Sequence, residues 1–136
     1  DKFSEWIERY EIMRLVYDRA YAGGFVTWME EVHPDVELIE MPQTIMNFAG
    51  PTAEYERLVL AGQLQHNGNE LLTWQAGHVV VKCDVNRNIR PVKPEKNDIR
   101  SIDGIVAGVM ALRGEMENNE YTSEYENQGS IYGAYA

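Results

Sequence analysis

Apolar residues recur at helical spacing from the first turn of the chain. Phe3, Trp6, Ile7 and Tyr10 share one stripe, which predicts a short amphipathic helix with Ser4 available as its cap. Residues 12–17 then form a mostly apolar run of strand length that stops abruptly at Asp18 and Arg19. Phe25, Trp28, Met29 and Val32 lie on one face of a second helix over 22–32, which Pro34 terminates. Residues 36–41 read as a second strand, stopped by Pro42. Strand, helix and strand with short connections make the right-handed crossover unit of a parallel sheet.

The second half follows the same logic. A polar loop through Asn47, Gly50 and Pro51 leads to a helix over about 52–61, with Tyr55, Leu58 and Val59 facing inward. Gly62 suits the left-handed backbone that ends many helices. Residues 70–76 fit a short helix, and 79–84, the turn 85–88 and 89–92 fit a β-hairpin. A loop with Pro and Lys over 91–100 precedes a last helix over about 103–115. From residue 118 the chain is rich in Asn, Glu, Gly and Tyr and has no periodicity. The expected organisation is one α/β domain over 1–116 and a flexible acidic, Tyr-rich tail over 117–136.

Composition narrows the class. The 136 residues suffice for one domain with its own core. No run approaches the roughly 20 apolar residues of a membrane span, and the mixed first ten residues do not resemble a signal peptide, so a soluble cytoplasmic protein is expected. The single cysteine, Cys83, excludes an internal disulfide and a multi-cysteine zinc site; a small, partly buried strand residue is expected there.

The net charge of −10 argues against a nucleic-acid partner until its distribution is considered. Half of it comes from Glu115, Glu117, Glu120, Glu124 and Glu126, where no basic residue intervenes. Between Lys82 and Arg100 the sign reverses, because half of the twelve basic residues sit there. A basic segment on an acidic body is compatible with local phosphate contact, for which Lys93 and Lys96 are the candidates; a solvated loop accounts for them equally well.

Two carboxylates stand where catalytic chemistry gathers. Asp18 closes the first strand, and Asp103 precedes the apolar run from Ile105 to Leu112. Ligand sites in open α/β sheets collect at the carboxyl ends of strands, and Mg²⁺ or Mn²⁺ prefers such hard oxygen ligands. Asp is also a favoured helix N-cap, so either residue could instead satisfy backbone N–H groups. His66 and His78 lack ligand spacing and are expected at surface or turn positions. Trp6, Trp28 and Trp74 are expected in the core.

Several segments resemble one family. Residues 55–69 are similar to the "ERLILEGKLRHGGNP" stretch of tailed-phage terminase large subunits, and Trp74 with Val79 to Lys82 resembles the "W…NVVVK" that follows it. Residues 88–93 resemble "NIKPDK", and 101–107 resemble the closing "KIDGIVA", with Ser101 in place of the usual basic residue. Val16, Tyr17, Asp18 and Arg19 resemble the "AFDRW" strand end. The matches run in the family's order.

The resemblance implies part of an RNase H-like nuclease domain whose acidic cluster binds two Mg²⁺ or Mn²⁺ ions and hydrolyses concatemeric double-stranded DNA during genome packaging. Asp18 and Asp103 would be metal ligands and catalytic residues. Partners would be DNA and, for the whole protein, the portal and the small terminase subunit, in the host cytoplasm. The family's first catalytic Asp lies on a strand upstream of the helix at Trp6, and its ATPase motor lies further upstream. A fragment lacking both is therefore expected, handicapped alone, with an exposed strand edge that either self-associates or is covered by the tail from Asn118. Two other roles compete: a non-catalytic module docking on the portal or partner subunits, and a prophage remnant with a fold but no function.

Overall fold

The computed structural model describes residues 1–117, so the expectation of a flexible tail falls outside the described residues. Its elements are α1 (Lys2–Tyr10), β1 (Arg14–Tyr17), α2 (Gly23–Val32), β2 (Glu37–Glu40), α3 (Ile45–Leu60), α4 (Glu70–Ala76), β3 (Val80–Cys83), β4 (Ile89–Val92) and α5 (Asp103–Met116). β1 and β2 pair in parallel, with Arg14 opposite Glu37 and Tyr17 opposite Glu40. β3 and β4 pair antiparallel as a separate hairpin. Crossover unit, hairpin and α/β class therefore match the sequence pattern.

Local chemistry explains most element ends. Asp1, rather than Ser4, caps α1 by accepting from Phe3 N; Ser4 instead bonds His33 Nε2 at 2.9 Å and ties α1 to the end of α2. Glu11 takes a left-handed backbone and stops α1. In the hairpin turn, Asp84 accepts from the Asn86 and Asn88 backbone N–H groups and from Asn88 Nδ2. These bonds, the Asn88 side chain foremost, hold its carboxyl below the ordinary aspartate pKa.

The largest departure is α3. It begins at Ile45, capped by the Thr44 hydroxyl, and runs straight through the expected loop with Pro51 inside. Phe48 is fully buried, and Pro51 and Thr52 are buried beside it. Burial of Phe48 against Met41, Val109 and Met110 offsets the helix bond that Pro51 cannot make. Val59 is exposed, while Glu54 is buried as well and pairs with Arg57. Gly62, at φ 65°, ends the helix as expected.

The small core lies between β2, α3 and α5, with Val16, Tyr55 and Val106 packed around it. The tryptophans are not its centre: Trp6 and Trp74 are exposed and Trp28 is half-buried. Trp28 instead packs its ring against Phe25 and His33 at the α1–α2 contact. Cys83 is exposed, because neither face of β3 is covered. His78, by contrast, is buried.

Candidate metal centre

Asp18 follows the last residue of β1 and Asp103 is the first residue of α5; both are exposed. Neither is a helix cap. The residue capping α2 is Ala22 and that capping α5 is Ile102, each without a side-chain bond. Asp18 Oδ1 accepts from Ala20 N at 3.2 Å, which folds the turn after the strand. Asp103 Oδ2 accepts from the Ser101 hydroxyl at 2.8 Å. The second oxygen of each carboxylate has no hydrogen-bond partner among the described residues.

α5 packs along β1 and beside the residue that follows β2. Gly114 stands against Val16, and Arg14 Nη1 bonds the Gly114 carbonyl. One step along the strands, Met41 N bonds Tyr17 O, and Met41 packs against Val109 and Met110. The helix therefore runs backwards over the strands, and its start points to the end where β1 and β2 finish. Asp103, Ala107, Met110 and Gly114 recur at helical spacing, and Ala107, Met110 and Gly114 line the groove beside β1. Asp18 continues the alternation of Arg14 and Val16 on the strand.

Among the described residues no group of three or more His, Cys, Asp or Glu gathers as a metal cage. Two exposed carboxylates, each with a free oxygen, do fit a cation of the Mg²⁺ or Mn²⁺ type, which takes one or two carboxylates and keeps several waters. The segment before α5 is held from α4. Gln75 Oε1 accepts from Gly104 N at 2.7 Å, and His78 Nε2 lies 2.9 Å from the Ser101 carbonyl. Nothing in the sequence marks Gln75, and His78, expected at a surface or turn position, is buried; the Ser101-to-Asp103 spacing, that of a hydroxyl-closed turn, is the one local signal.

The basic candidates separate. Lys93 Nζ bonds the Asp98 carbonyl at 3.0 Å and closes its own loop, whereas Lys96 is exposed. Arg90 bonds the Gln43 carbonyl and lies over the Phe48 ring at 5.0 Å, so it serves the fold.

The HK97 bacteriophage large terminase crystal structure superposes on 83% of this chain and 23% of that one, with a TM-score of 0.72 at 23% identity; the shared feature is the fold. Protein YmfN of Escherichia coli (strain K12) is 35% identical over 79 residues, 57% of this chain and 17% of that protein. The chain thus spans less than a quarter of the length of either. The family model of the terminase large subunit endonuclease domain matches residues 2–120. With an α/β fold like that of a phage large terminase and a family match over most of its length, the chain belongs to the terminase large subunit endonuclease domain family.

Proposed function

We propose that this chain is a divalent-metal-dependent endonuclease domain acting on double-stranded phage DNA, with Asp18 and Asp103 as metal ligands. The reading is supported by two exposed carboxylates, each with an oxygen free of hydrogen bonds among the described residues: Asp18 directly follows β1, and Asp103 opens the helix that packs on β1. Bound Mg²⁺ or Mn²⁺ would supply Lewis-acid activation and charge neutralisation for phosphodiester hydrolysis. Asp18, on a turn closed by its own bond to Ala20, and Asp103, on the first turn of a packed helix, would hold the cation from rigid elements. Two carboxylates bind such a cation weakly and leave a two-metal clamp short of ligands. Full activity then needs a further carboxylate from outside this pair.

On this reading the domain works in host cytoplasm, with the portal and small terminase subunit as partners of the whole protein. No helix among the described residues is long and apolar enough to cross a membrane. The test is Mn²⁺ uptake by the purified chain, followed by the loss of the free-ion paramagnetic resonance signal. Uptake should weaken at least about tenfold in Asp18→Asn and in Asp103→Asn. Unchanged uptake in both variants ends the assignment.

A second role rests on a different observation. Glu37 N bonds Met13 O and Met41 N bonds Tyr17 O, so alternation turns the N–H and C=O groups of Arg14 and Val16 away from β2. That edge, which pairs with no other strand among the described residues, borders a groove of about 680 Å³ beside Ala107, Ala111 and Gly114. It suits pairing with a strand of a second copy.

A further inference from the structure

We propose that Ser101, held by Gln75 and His78, is the positioning residue that aims Asp103 at its cation. The proposal rests on the reading of Asp103 as a metal ligand and adds the residues that fix its geometry. An exposed aspartate on a first helical turn rotates freely about χ1 and χ2 unless something holds it. Here the Ser101 hydroxyl holds it at both ends. Oγ donates its one hydrogen to Asp103 Oδ2 at 2.8 Å and accepts from Asp103 N at 3.1 Å. One carboxylate oxygen is thereby engaged, and Oδ1 is left for a cation.

Ser101 is itself held by α4 and the residues after it. Gln75 is 3% exposed; its Oε1 takes the N–H of Gly104, a first-turn donor with no partner inside the helix, and its Nε2 reaches Ser101 Oγ at 3.4 Å. His78, 8% exposed, sets Nδ1 2.8 Å from the Trp74 carbonyl and Nε2 2.9 Å from the Ser101 carbonyl, able to donate to one of them when neutral, and packs edge-on against the Trp74 ring. Gly104 allows this approach, since a Cβ there would stand 2.6 Å from Gln75 Oε1. The buried amide and imidazole thus fix a serine, and the serine fixes an exposed carboxylate. Polar groups one layer behind a ligand commonly change metal affinity by about 10–100-fold when removed.

The experiment is a Mn²⁺ titration of the full chain by paramagnetic resonance, with thermal unfolding measured alongside. Ser101→Ala should weaken Mn²⁺ binding about tenfold while the protein stays folded, and Ser101→Thr, which keeps the hydroxyl, should restore most of it. Asp103→Asn separates the two claims. If Asp103→Asn loses binding while Ser101→Ala binds like the parent chain, the positioning role is wrong and the ligand assignment stands. If Asp103→Asn binds like the parent, or the parent takes up no Mn²⁺, both fall. A loss in Ser101→Ala that Ser101→Thr does not repair, with an equal drop in melting temperature in both, also overturns the proposal in favour of a purely structural serine.

Discussion

Arg14 and Gly114 are joined by a hydrogen bond of 3.3 Å from Nη1 to the carbonyl oxygen, across a hundred residues of chain. The contact is close because Gly114 is buried against Val16, whose Cγ2 would lie 2.7 Å from a Cβ at that position. This seam seats the last turn of α5 against β1.

Gly114→Ala should therefore force α5 away from β1. The expected cost is about 1–3 kcal/mol, the usual range for overpacking a filled contact. Urea unfolding measures it. If the variant matches the parent chain, α5 does not seat against Val16 in the way described.

The Asp98–Arg100 pair gives a pH signature. The Arg100 side-chain bonds, at 3.0 and 2.6 Å, hold the Asp98 carboxyl well below the ordinary aspartate range, and the Arg100 N–H adds to this. A depressed folded-state pKa contributes stability above the unfolded pKa, and that contribution disappears as pH falls through the folded value. Asp98 should remain ionised near pH 3, where ordinary aspartates are largely protonated. Carboxyl-carbon NMR checks this, and Arg100→Gln should return Asp98 towards ordinary behaviour.

The two lysines proposed for DNA contact should behave differently. Lys96 is exposed, while Lys93 already donates to the Asp98 carbonyl. Lys96→Ala should weaken duplex binding and lower the slope of log affinity against log salt by about 1. Lys93→Ala should chiefly loosen the loop. Fluorescence anisotropy on a duplex over a salt series decides; an unchanged slope in Lys96→Ala removes that residue from the interface.

Self-association through β1 predicts concentration-dependent protection. The amides of Arg14 and Val16, turned away from β2, should exchange slowly in concentrated solution and quickly in dilute solution. Sedimentation should show a dimer over the same range. A monomer throughout, with those amides exchanging freely, would contradict edge pairing.

Much of this protein is written locally. The apolar spacing of α1, α2, α4 and α5, the alternation and turn of the hairpin, and the ordered motifs ending at Asp103 are nearest-neighbour properties, so the α/β class and the family could be read along the chain. What could not be read depends on residues far apart in sequence. A Gly-Pro pair signals a loop, yet Phe48 buried against Met41 and Val109 keeps α3 helical through it. Gln75 and His78 look like surface polar residues until α4 and the 101–104 segment meet across more than twenty residues. Trp6 and Trp74 look like core and remain exposed, because no described element covers them. Periodicity states which face a residue occupies on its own element. Only the tertiary arrangement decides what that face meets, and therefore which carboxylate is held still and which side chain holds it.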